Sequence, residues 1–170
     1  GEEHTINFKE LGEKELEIMT YLIAQQWDIA IILFWFDRET TIISQIGMTE
    51  EQLLILAEYG LTAKQWSARQ QYAASLMKVQ KQKVKALDLA VKYHQDEEAD
   101  VRRFALTSLL EMDYPNLSDL VLESWKKNEE DERMLCLLIW EKIDKKQFQK
   151  YFKEAEKDTR PYMREYVREL

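Results

Sequence analysis

Cysteine is all but missing from this chain. Cys136 is the only one, which excludes an intrachain disulfide and a cysteine-rich zinc site. It lies in the apolar run Met134-Leu135-Cys136-Leu137-Leu138-Ile139-Trp140, where a small buried hydrophobe is expected rather than a reactive thiol. Histidine is almost as scarce. His4 and His94 lie far apart in the chain, so a metal site or a Ser–His–Asp centre would rest on a single imidazole. Four glycines and two prolines in 170 residues disfavour an all-β chain, which needs a turn about every 8–12 residues. The longest apolar run, Ile29 to Phe36, falls far short of the ~20 residues that span a bilayer. No N-terminal signal pattern is legible, and Gly1 reads as a residue left by processing. Phosphate-loop, dinucleotide-binding and nucleophile-elbow motifs are missing too. These absences predict a non-enzymatic protein with no catalytic residues, no cofactor and no metal, in a reducing compartment such as the cytoplasm.

What is present describes an ordinary globular chain. Hydrophobic residues make up 45 % and charged residues 33 %, neither a disordered nor a membrane composition. The length suits one domain, residues 1–170, with a core of its own. The formal net charge is −8 and the pI is about 5.0. A negative field repels phosphate backbones and anionic lipid, so nucleic acid and membrane are disfavoured as partners unless a local basic patch opposes it.

Helical periodicity begins early. Leu16, Met19, Ile23 and Trp27 share one face of an expected helix over 11–26, with Glu13, Lys14 and Glu17 opposite. The stretch 29–46 supports two readings. Ile29, Ile32, Leu33, Phe36, Thr40 and Ile43 make a helical stripe, whereas 29–36 and 40–46 also read as β-branched strands of a hairpin around Asp37-Arg38-Glu39. Gly47 is placed to end one element. Thr49 with Gln52 forms a capping-box pattern opening a helix over 50–59. Gly60 then repeats the stop, and Thr62 with Gln65 repeats the start.

The C-terminal half is weakly self-similar. Asp100-Val101-Arg102-Arg103-Phe104-Ala105, Asp131-Glu132-Arg133-Met134-Leu135-Cys136 and Asp158-Thr159-Arg160-Pro161-Tyr162-Met163 can be superposed. Seven residues after each recurrent arginine come Leu109, Trp140 and Val167. Each segment follows another helical stretch, 84–94, 117–125 and 148–155, so the unit is two helices in about 30 residues. Asp100-Val101-Arg102-Arg103-Phe104-Ala105-Leu106 with Leu109-Leu110 resembles the second helix of a HEAT repeat, and the likeness covers roughly residues 80–170. It implies an all-α fold, a short right-handed superhelix of antiparallel helical hairpins. Residues 1–80 would hold further degenerate pairs or a different cap. A helical bundle is the rival architecture.

Three sets of side chains are candidates for a surface role. The acidic turns carry Glu97 and Glu98, then Glu129 and Glu130, then Glu156 and Asp158. In a solenoid equivalent turns share an edge, and a carboxylate ridge would suit a basic protein partner, although Asp and Glu there also suit helix N-termini. EF-hand spacing is lacking, so no calcium site is expected. The recurrent Arg102, Arg133 and Arg160 are expected to pair internally with these turns, as the resemblance implies, while Arg69 and Arg103 are expected to face outward as contact residues. Of the five tryptophans, most sit on core stripes. Trp35, in Phe34-Trp35-Phe36, is the expected interface anchor. The leading expectation is a protein-interaction module, in one version an acidic inhibitor or immunity-type protein. The rival, drawn from helical-repeat proteins that remove alkylated bases, is a DNA glycosylase-like enzyme using Trp125, Trp140, Arg103 and Asp113. Arg164–Leu170 leaves an apolar stripe that a further repeat or a homodimer contact would cover.

Overall fold

The computed structural model describes residues 8–33 and 47–170. Among these residues the fold is all-α. A 3-10 turn at Phe8–Glu10 precedes α1 (Glu13–Leu33), α2 (Glu50–Gly60), α3 (Trp66–Ser75), a second 3-10 turn (Leu76–Lys78), α4 (Lys83–Tyr93), α5 (Ala99–Glu111), α6 (Leu117–Lys127), α7 (Glu130–Ile143), α8 (Lys145–Ala155) and α9 (Pro161–Glu169). The six helices expected in the C-terminal half are present as α4 to α9. Helix α1 overruns the expected end at residue 26, because no breaker separates it from the apolar run that follows. Ile29–Leu33 are therefore helical, while the rest of the 29–46 stretch, with Trp35, lies outside the described residues. By contact the chain forms two compact units, Gly1–Ser108 and Leu109–Leu170.

In the first unit α3 is the central element. Every residue from Ser67 to Ser75 is buried, with α1, α2 and α4 all packed against the helix. Ala68, Ala73 and Ala74 let those neighbours approach. The Tyr72 hydroxyl meets Thr20 Oγ1 of α1 at 2.9 Å. The capping box of α2 forms as expected, with Thr49 N donating to Gln52 Oε1 at 2.9 Å and Gln52 N to Thr49 Oγ1 at 3.3 Å. The second start signal fails. Helix α3 begins at Trp66 with no side-chain cap, and the Thr62 hydroxyl turns back to the Tyr59 carbonyl at 3.4 Å.

Gly60 is also not the left-handed stop that its position suggests. It is the last residue of α2, buried, and followed by a right-handed Leu61. A Cβ there would lie against the Tyr72 ring and 2.7 Å from the Tyr93 hydroxyl, which itself donates to the Ala57 carbonyl at 2.7 Å. The glycine serves close packing, not backbone conformation. Gly47, by contrast, does take a positive φ of 67°.

In the second unit Asp113 (φ 54°) ends α5, and Asn128 (φ 65°) turns α6 into α7. Asp and Asn are the non-glycine residues that best tolerate this region. Asp144 both stops α7, its N–H reaching the Trp140 carbonyl at 2.8 Å, and caps α8 by accepting from Gln147 N at 3.1 Å. Pro161 opens α9 at the position where its missing N–H costs nothing. The core joins Leu117, Val121, Cys136, Leu137, Ile139 and Met163 to an aromatic cluster. Trp140 stacks on Tyr151 at 4.5 Å, and Trp125 leans on both at 5.7 and 5.1 Å. Such pairs add about 0.5–1.5 kcal/mol each beyond simple burial.

Candidate binding surface

Arginine near the start of the second helix of each pair organises the turns. Arg102 Nη1 donates to the Asp96 and Glu97 carbonyls at 3.0 and 2.7 Å. Arg133 donates from Nε to the Trp125 carbonyl at 3.1 Å, lies 4.4 Å over the Trp125 ring, and stands 3.8 Å from Asp158. Arg160 grips Asp158 through Nε and Nη2 and the Asn128 carbonyl through Nη1. The internal pairing expected of these three arginines is what the contacts describe.

Arg69 belongs to the same series, which corrects the expectation that it faces outward. Its side chain is 8 % exposed, as is that of Asp96. The two form a bidentate pair, Nε to Oδ2 at 2.7 Å and Nη2 to Oδ1 at 3.0 Å, and Nη1 donates to the Ala63 carbonyl at 2.7 Å. The carboxylate lifts the guanidinium pKa against the opposing effect of burial. Three residues beyond Arg69, Arg102, Arg133 and Arg160 stand Tyr72, Ala105, Cys136 and Met163, all fully buried. One register therefore serves four helices, starting a pair earlier than the self-similarity of the sequence suggests. The signal that could have found it is Arg69 itself, spaced from Arg102 much as Arg102 is from Arg133.

The acidic turns divide into internal and exposed carboxylates. Asp96 accepts from Glu98 N at 2.9 Å, and Asp158 accepts from Arg160 N at 3.0 Å, so Asp96 is the counterpart of Asp158. Asp100, which the sequence aligned with it, sits inside the first turn of α5 and pairs with Arg103 at 2.9 Å. That pairing ties Arg103, about one third exposed, to its own helix. The Arg160 guanidinium holds the Asp158 carboxyl down, from 3.8 to about 2. Glu130, expected at the surface, accepts from Met163 N at 2.8 Å and so caps α9. Glu97, Glu98 and Glu129 remain exposed, with Glu97 84 % exposed and only 3.7 Å from Arg69.

A cavity of about 270 Å³ lies beside the Arg69–Asp96 pair, lined by Leu61, Thr62, Ala63 and Glu97. Another of about 220 Å³ is bounded by Glu13, Glu17, Thr20, Tyr59 and Lys64. Both are polar recesses without a nucleophile–base pair. Trp125 and Trp140 are buried in the aromatic cluster, and Asp113 terminates a helix. Burial pushes the Cys136 thiol well above its ordinary range, and Sγ donates to the Val121 carbonyl at 3.4 Å. Among the described residues no His, Cys, Asp and Glu cluster could hold a metal, and no helix is long and apolar enough to cross a membrane. In comparison with known proteins, the chain matches no family model, no curated protein and no solved structure.

Proposed function

We propose that this chain is a non-enzymatic protein-interaction module built of HEAT-like helical hairpins, which offers its exposed turn carboxylates to a basic protein partner. The observation that carries this reading is the division of the turn acids. Asp96, Asp158 and Glu130 are consumed by arginines and helix ends, while Glu97, Glu98 and Glu129 stay in solvent. Exposed charge of this kind contributes to encounter rate and partner choice more than to stability. An acidic inhibitor of a basic toxin or nuclease is one form that the function would take. The DNA glycosylase-like alternative draws no support from Trp125 and Trp140, whose rings are committed to the core.

The test is retention of native lysate proteins on the immobilised chain at low and high salt, compared with E97K/E98K/E129K. The expected result is a basic protein held by the wild type at low salt, lost on the triple variant and released by salt. No difference between the two columns would sink the proposal.

A further inference from the structure

Against its net charge of −8, the chain concentrates lysine at one corner. Lys142 lies in the last turn of α7, Lys145 and Lys146 open α8, and Lys153 follows two turns on. All four are exposed, and Gln149 shares their side of α8, whereas Tyr151 and Ala155 are buried on the opposite side. None of the four makes an ion pair among the described residues, unlike Lys9, Lys85 and Lys92, which meet Glu51, Glu58 and Asp88 at 2.7–2.8 Å.

Glu141 and Glu154 flank the corner in sequence, while Asp144, between Ile143 and Lys145, is engaged elsewhere. Asp144 Oδ1 accepts from Gln147 N, and its Oδ2 accepts from Ser118 Oγ at 3.1 Å, which in turn accepts from Trp140 Nε1 at 3.1 Å. Ile143, between Lys142 and Asp144, is 44 % exposed. Lys145 and Lys146 also work against the helix they begin. The N-terminal end of a helix carries partial positive charge, yet the first turn of α8 holds no acid. The Asp144 cap offsets part of that cost, and the two lysines add to it, a pattern expected at functional positions.

We infer that the α7–α8 corner is a second docking surface, where Lys142, Lys145, Lys146 and Lys153 receive an acidic segment of a partner protein whose apolar side chain covers Ile143. An exposed apolar residue ringed by cations has the layout of an interface anchor and its polar rim. A protein partner is favoured over nucleic acid by the charge balance. Charges are screened beyond roughly 8 Å in physiological salt, so a short acidic segment feels the corner alone. A duplex carries a charge every ~1.7 Å along its axis and would extend over the acidic remainder of the surface. On α8 itself Tyr151 is buried and Phe148 and Phe152 are half-buried and lean on each other at 5.5 Å, so that helix offers no exposed ring for base stacking.

The test uses the full chain and a fluorescein-labelled peptide of repeating Glu-Glu-Leu units, followed by fluorescence polarisation at low salt. K145E/K146E is expected to weaken binding by about tenfold or more, and I143S by several-fold. K83E/K85E, the same charge change on α4, should leave binding within about twofold. A second readout guards against misfolding. Reversing two charges that oppose the helix dipole should raise the melting temperature of K145E/K146E by about 2–4 °C. Absence of peptide binding by the wild type overturns the inference, as does equal loss in K83E/K85E. Tighter binding of single-stranded DNA or of phosphatidylserine vesicles, abolished by K145E/K146E, would reassign the corner to those partners.

Discussion

Replacing Arg69 with methionine keeps the aliphatic stem and removes the guanidinium. The loss comprises two charge-assisted hydrogen bonds to Asp96, one to the Ala63 carbonyl and a longer one to the Lys64 carbonyl. What remains is a carboxylate of 8 % exposure whose surviving partner is Glu98 N. Leaving a buried charge without its counter-ion costs about 3–5 kcal/mol. In a chain of this size each kcal/mol moves the melting temperature by about 2–4 °C, so R69M should melt roughly 10 °C lower. D96N removes the same ion pair from the other side while keeping one acceptor for Glu98 N, and should cost less. Urea denaturation of R69M, D96N and the double variant completes a cycle. Residues in direct contact should show coupling of about 0.5–3 kcal/mol, the double variant losing less than the sum. If R69M melts within about 2 °C of the wild type, or the two losses simply add, Arg69 is not an internal clamp. Its place as an outward contact residue would then be restored.

Two further outcomes follow from the packing and the electrostatics. G60A should destabilise although alanine is the better helix former. The added methyl meets the Tyr72 ring and the Tyr93 hydroxyl, an overpacking cost of about 1–3 kcal/mol against a propensity gain of at most about 1 kcal/mol; a thermal melt showing any rise would refute the close contact. D158N should cost about 2 kcal/mol near neutral pH, from a carboxyl lowered from 3.8 to about 2. Because the folded pKa is the lower one, that stabilisation is complete above the unfolded value and fades as pH falls through about 2. The gap in melting temperature between wild type and D158N should therefore narrow progressively below pH 4, and a gap independent of pH would contradict the Arg160–Asp158 pairing.

The sequence by itself determined the features that depend on neighbours within one or two helical turns. The all-α class followed from scarce glycine and proline and from apolar residues at helical spacing. Thr49 and Gln52 were legible as a capping box because both hydrogen bonds close within three residues. The six C-terminal helices were legible because each buries a stripe that the period reveals, and the recurrent arginines marked the second helix of each pair.

Tertiary structure alone decided which members of those patterns face inward. Arg69 and Arg103 have the same chemistry, yet one is clamped by a carboxylate 27 residues away and the other leans on its own helix. Three acids of apparently equivalent turns, Asp96, Asp158 and Glu130, are internal, whereas Glu97, Glu98 and Glu129 are free to meet solvent. Gly60 resembles a helix stop in sequence but leaves room for the Tyr72 ring and the Tyr93 hydroxyl brought from α3 and α4. The lysine corner was equally hidden, because its significance depends on Asp144 turning both oxygens inward. Local signals report hydrogen bonds and periodicity along the chain; the fate of a charge depends on which distant group packing places beside it.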